Sequence, residues 1–192
     1  MAKKLVLPLI FVTVLLCVAY VKFTENKTAS QSETEASSGE ALIGGAFELT
    51  DNKGNKFSEA SLRGKKYLVF FGFTHCPDIC PVAIATISDT LNKVENVSAL
   101  FITVDPERDT VEVMDEYLLP FNKNIVGLTG TKPEVEKVEK LYKAYAQKSD
   151  AHDGKYMMNH SDLIYLMDEN GKYITHFNRG NSSEEIVAKL KK

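Results

Sequence analysis

Residues 66–82 read KYLVFFGFTHCPDICPV, and this stretch restricts the fold more than any other. Tyr67–Phe73 is apolar, β-branched or aromatic at nearly every position. That pattern marks a strand covered on both faces, inside a sheet flanked by helices. The run stops at Thr74, and His75, Cys76, Pro77, Asp78 and Cys80 follow. From Pro81 the period becomes helical, with Ile84, Ile87, Leu91 and Val94 on one face. Strand, tight polar turn and helix are therefore predicted in succession, with both cysteines at the helix entrance. Free N–H groups and a partial positive charge at such an entrance favour thiolate over thiol.

The remaining pattern alternates strands with helices. Phe47–Thr50 and Lys56-Phe57 flank Asp51–Asn55, a hairpin signal, and Ser58–Arg63 suits one helical turn closed by Gly64. Ala99–Val104 is a second short buried-type strand, followed by the polar loop Asp105–Asp109. Asp109 and Glu112 have N-cap and N3 spacing for a helix that Pro120 ends. Ile125–Leu128 is a further strand. Thr131 and Glu134 form a capping box ahead of a stripe of Val135, Val138, Tyr142 and Tyr145, with Glu136/Lys140 and Glu139/Lys143 as supporting pairs. Ser149–Tyr156 is polar. Leu163–Met167 and Tyr173–Phe177 are strands joined by an Asn-Gly turn, and Ser182 with Glu185 caps a last helix whose Ile186, Val187 and Leu190 face inward. The order fits an α/β domain with a thioredoxin-like fold and an N-terminal β-hairpin addition, over residues 44–192.

Ahead of it, Lys3 and Lys4 precede Leu5–Val21, an uncharged and mostly apolar run that would span roughly 25 Å as a helix. Residues 5–23 are read as one transmembrane signal-anchor, with 1–4 in the cytoplasm and the domain exported. Cleavage near Cys17-Val18-Ala19 and lipidation at Cys17 are the rival readings. Residues 24–43, rich in Ser, Thr, Glu and Ala, form a flexible linker. A net charge of −3 offers no basic field for nucleic acid. Of three cysteines only Cys76 and Cys80 fall in the domain, too few for a disulfide scaffold.

The dithiol has several possible chemistries. One helical turn puts the Cα atoms about 6 Å apart, inside disulfide range, so the pair could exchange disulfides. Thioredoxin-type enzymes, however, use C-x-x-C and a cis-proline before a late strand. No proline follows Pro133 here, and Asn159-His160-Ser161 occupies the late position. His160 turns the dithiol into a candidate site of two thiolates and an imidazole, a donor set for Cu(I) that also accommodates Cu(II) or zinc. His75 is an alternative ligand of lower rank, and His152 and His176 read as solvated or structural. A peroxidase fits poorly, because Thr74 stands two residues before Cys76 where the peroxiredoxin motif places a threonine three before. A redox or copper sensor is a further alternative.

Gly72–Pro81, GFTHCPDICP, resembles the signature of the SCO/SenC family of membrane-anchored, thioredoxin-fold copper proteins of cytochrome oxidase assembly. Val104–Thr110 resembles its second motif, and His160-Ser161 ahead of Tyr165-Leu166 and Asp168-x-x-Gly171 its third. The resemblance implies one copper bound by Cys76, Cys80 and His160. It implies a metallochaperone rather than an enzyme, delivering copper to the binuclear site of cytochrome c oxidase subunit II. A second copper carrier or a thiol reductant would be a further partner. A membrane-tethered thiol–disulfide oxidoreductase reducing the acceptor's cysteines is the alternative. The expected location is a bacterial inner membrane, single pass, with the domain in the periplasm, or else the mitochondrial inner membrane facing the intermembrane space. Two positions depart from the family pattern: Asn159 replaces the usual acidic residue before the histidine, and Val82–Ala85 lacks an acidic residue often found there. Both bear on affinity and partner choice, not on the ligand set. The Asp105–Asp109 loop is a candidate partner-contacting surface.

Overall fold

A computed structural model of the chain describes residues 42–150 and 156–192. The anchor and nearly all of the linker expected from the sequence, and His152, lie outside the described residues. Among the described residues no helix is long and apolar enough to cross a membrane.

Strand β3 (Tyr67–Gly72) is buried along its whole length and has neighbours on both edges. It pairs in parallel with β4 (Ser98–Thr103) and antiparallel with β8 (Ile164–Met167). With β1 (Glu48–Asp51), β2 (Lys56–Ser58), β5 (Ile125–Thr129) and β9 (Tyr173–Phe177) these form one seven-stranded sheet, in the order β2-β1-β5-β4-β3-β8-β9. The expected hairpin is β1–β2, and it extends this sheet through antiparallel pairing of β1 with β5. Its turn is fixed by Asp51, whose Oδ1 accepts from the amides of Lys53 and Asn55 at 2.9 and 2.8 Å. The Asn-Gly turn between β8 and β9 also forms, with a register shift between Leu166 and Met167.

Helix α1 (Ile79–Asn92) starts two residues earlier than expected, so Pro81 lies in its first turn, where a missing N–H is tolerated. It buries Ile84, Ile87 and Leu91 but ends before Val94. Helix α2 (Val111–Leu118) is capped by Thr110 and not by Asp109: the Thr110 hydroxyl accepts from the Val113 amide. Helix α3 (Lys132–Tyr142) has the expected capping box but stops at Tyr142, because Lys143 adopts a left-handed φ of 53°. Tyr145 therefore leaves the stripe and is exposed, and the Glu139/Lys143 pair loses its helical spacing. Helix α4 (Ser183–Leu190) carries its capping box and buries Ile186, Val187 and Leu190.

The core is aromatic. Tyr142 packs its ring 5.5 Å from Phe71 and 5.7 Å from Tyr165, joining α3 to the centre of the sheet. Full burial of each such ring contributes about 2 to 3 kcal/mol. One feature was absent from the sequence reading. Ala146–Lys148 (β6) and Met158–His160 (β7) pair antiparallel as a separate two-stranded ribbon, with Ala146 opposite His160.

Candidate metal centre

The cysteine-bearing turn is built at the end of β3. The amide of Cys76 donates to the Phe73 carbonyl at 3.3 Å, closing the turn. Cys80 falls at the second residue of α1, and its amide donates to Cys76 Sγ at 3.4 Å. Cys76 is partly exposed and Cys80 wholly buried, both as free thiols. Cys80 fits against β3 only because position 72 is glycine. A Cβ there would stand 2.9 Å from Cys80 Sγ and 2.8 Å from the Phe101 ring.

His160 arrives from β7. Its Nε2 lies 3.5 Å from Cys80 Sγ, while its Nδ1 lies 2.8 Å from the Ser161 carbonyl oxygen. A carbonyl only accepts, so Nδ1 carries the proton and the Nε2 lone pair is directed at the thiols. Histidines that bind metals characteristically donate their second ring N–H in this way. Phe73 and Phe70 wall the imidazole edge-to-face, at 5.6 and 6.2 Å between centroids. Ser161 is itself fastened to Tyr145: each amide donates to the other residue, one to a hydroxyl and one to a carbonyl, both at 2.9 Å.

The donor atoms of Cys76, Cys80 and His160 all lie within 4.8 Å of one another. Donors each about 2.0 to 2.3 Å from one ion are separated by at most about 4.6 Å, so a metal could be enclosed with little movement. Burial pushes the Cys80 thiol up, and the neighbouring Cys76 adds to this, although a backbone hydrogen bond at Phe73 opposes it. Desolvation of the buried Cys80 thiol thus opposes the preference for thiolate expected at a helix entrance.

In the Asp105–Asp109 loop both aspartates are buried while Glu107 is exposed. The Asp109 carboxylate accepts from the Thr74 amide at 3.0 Å, the Thr74 hydroxyl at 2.6 Å and the Thr103 hydroxyl at 2.6 Å. It ties the ends of β3 and β4 together beneath the cysteine turn. Asp105 receives the Arg108 guanidinium and the Tyr156 hydroxyl. His75 lies outside the donor cluster, half-exposed, with Nδ1 3.0 Å from the Thr74 hydroxyl. His176 is remote from the cluster and stacks on Tyr173. Sequence reasoning missed the anchoring role of Asp109. The clustering of Asp105, Arg108 and Asp109 directly after a buried strand was the available signal.

A mixed α/β sheet of thioredoxin type, in which a dithiol at a helix entrance meets an imidazole from a separate ribbon, defines a class of small redox and metal-handling domains. Within that class the comparisons are specific. The chain belongs to the SCO1/SenC family, whose sequence model matches residues 35–192. A SCO2-like protein of Rickettsia prowazekii is 41% identical over 156 residues, covering 78% of this chain and 76% of its own length. The structure of Bradyrhizobium japonicum ScoI with copper bound is similar at a TM-score of 0.72 and 45% identity, covering 78% of this chain and 98% of that one. BsSco, a member of the Sco family of cytochrome c oxidase assembly proteins in which a disulfide switch was identified, is similar at a TM-score of 0.65 and 25% identity, covering 78% and 92%.

Proposed function

We propose that this protein binds one copper ion through Cys76 Sγ, Cys80 Sγ and His160 Nε2 and delivers it to the binuclear copper site of cytochrome c oxidase subunit II. The observation that carries this reading is the direction of His160: its Nδ1 is committed to the Ser161 carbonyl, and its Nε2 faces Cys80 at 3.5 Å. The copper bound in B. japonicum ScoI supports the choice of metal, and two soft thiolates with one imidazole match Cu(I) chemistry. Loading releases the proton of each thiol that becomes a ligand. A three-donor site leaves a coordination position through which an acceptor cysteine enters, so the ion passes by ligand exchange. The cysteines must be reduced throughout, which couples delivery to thiol redox state.

Residues 5–23 serve in this reading as the membrane anchor, 24–43 as the linker and 44–192 as the copper-binding domain. The tether holds donor and acceptor at one membrane surface and raises their effective concentration. The domain would face the periplasm, or in a mitochondrial setting the intermembrane space. The test is titration of the reduced protein with copper beside His160→Ala. One tight equivalent in the wild type and binding weaker by about 100-fold or more in the variant is expected. Equal binding by both proteins would sink the reading.

The adjacency of the two thiols, with the Cys80 amide donating to Cys76 Sγ at 3.4 Å, favours a second reading, disulfide exchange. The two thiols would give two electrons and two protons to an acceptor disulfide and close a bond between themselves. This activity needs both cysteines but not His160, so His160→Ala separates the two readings.

A further inference from the structure

The β6–β7 ribbon that carries His160 has only two strands, and such a ribbon is marginal by itself. Ala146 and Met158 pack partly against the core. At the end of the ribbon farther from His160, Tyr156 makes a denser set of contacts. Its ring lies between two cations: the Arg108 guanidinium carbon is 3.8 Å from the centroid and Lys148 Nζ 3.7 Å. Its hydroxyl donates to Asp105 Oδ1 at 2.8 Å, and its carbonyl accepts from Arg108 Nη1 at 3.2 Å. Lys148, on β6, continues to Glu107 at 3.1 Å. Among the described residues Arg108 Nη2 is buried without a hydrogen-bond partner.

From Arg108 the contacts lead into the centre. The guanidinium lies 5.8 Å from the Phe73 centroid, and Phe73 stands edge-to-face against His160 at 5.6 Å and 88°. Arg108 belongs to the same loop as Asp109, which holds Thr74 two residues before Cys76. One loop thus grips the cysteine turn through Asp109 and the histidine ribbon through Arg108 and Asp105.

We propose that Tyr156 is a positioning residue for metal capture: by clasping the ribbon to the Asp105–Asp109 loop it sets the distance from His160 Nε2 to the two thiols. It touches neither the metal nor a donor atom. Two observations carry this independently. One is the double cation–ring clasp reinforced by the Asp105 hydrogen bond. The other is the continuous packing from Arg108 through Phe73 to the imidazole. The inference rests on the copper reading above.

The test is a double-mutant cycle on the reduced full chain, read as Cu(I) affinity by competition with a chromophoric chelator. Tyr156→Phe keeps the ring between its cations and loses the Asp105 bond. Tyr156→Leu keeps apolar bulk and loses both. Affinity is expected to fall by about threefold in Tyr156→Phe and by about tenfold or more in Tyr156→Leu, the range for residues that orient ligands. In a His160→Ala background, Tyr156→Leu is expected to change affinity by less than about twofold, because the side chain it positions is gone. Wild-type affinity in Tyr156→Leu, or an equal loss in both backgrounds, overturns the proposal while leaving the copper site intact. Wild-type affinity in His160→Ala alone would sink both readings together.

Discussion

Asp109 receives both the amide and the hydroxyl of Thr74, at 3.0 and 2.6 Å. With Thr103 as a third donor, the carboxylate stays buried without an ion-pair partner at hydrogen-bond distance. The turn before Cys76 is therefore held by its own Cys76–Phe73 bond and also from the Asp105–Asp109 loop that follows β4.

Removing this acceptor leaves buried donors unsatisfied. Asp109→Ala is expected to lower unfolding free energy by about 3 kcal/mol, and Asp109→Asn by about 1 to 2. Chemical denaturation of the metal-free protein measures both. An Asp109→Ala variant as stable as the wild type would contradict the anchoring role.

Gly72 is expected to tolerate no side chain. Alanine there would press on Cys80 Sγ and two phenyl rings at 2.8 to 2.9 Å, an overpacking cost of about 1 to 3 kcal/mol. Because one of the atoms struck is a proposed ligand, Gly72→Ala should lose copper affinity as well as stability. Loss of stability with affinity unchanged would mean that the thiol recovers its place.

The two cysteines should differ in reactivity. Cys80 is wholly buried and its thiol is pushed up by that burial, whereas Cys76 is partly exposed. Iodoacetamide should modify Cys76 at least about ten times faster than Cys80 in the reduced, metal-free protein. Mass spectrometry of a time course reads the order directly, and equal rates would contradict this difference in access.

Glu139 predicts a pH effect unrelated to metal. It is half-buried on α3, and desolvation, aided by Glu136, lifts its carboxyl from 4.5 to about 7 against the pull of Lys140 and Lys132. The folded state therefore binds this proton more tightly than the unfolded state. Below the unfolded value both states hold it and nothing is lost. Between about 4.5 and 7 the unfolded chain ionises first and stability falls, and above about 7 the loss is complete. The shift corresponds to at most about 3 kcal/mol, and solvent screening brings it to about 1. Glu139→Gln should remove that part of the slope between pH 5 and 8 and be more stable at pH 8. A slope parallel to the wild type would refute the assignment.

Much of this was legible in the chain. Tyr67–Phe73, the capping boxes of α3 and α4 and the Asn-Gly turn are local patterns whose physics acts over a few residues. The donor set was legible because chemically distinctive side chains sit at recognisable places in the α/β order. What escaped depended on distant partners. Asp109 has the spacing of an N-cap, but Thr110 takes that role while Thr74 and Thr103 draw its carboxylate inward. The ribbon escaped because β6 and β7 are only three residues each, too short for an alternating pattern to register. Tyr145 was misplaced because nothing around Lys143 announces a left-handed residue.

His160 stands 80 residues from Cys80 in sequence. An ion held by both is a cross-link that closes a long loop and removes extended conformations from the unfolded ensemble. By loop-closure entropy a link of that length is worth about 4 to 5 kcal/mol, comparable to a disulfide spanning the same interval. Copper would then act as a removable staple. The loaded and empty forms would differ by many degrees in melting temperature, and handing the ion on would return the donor to its less constrained form.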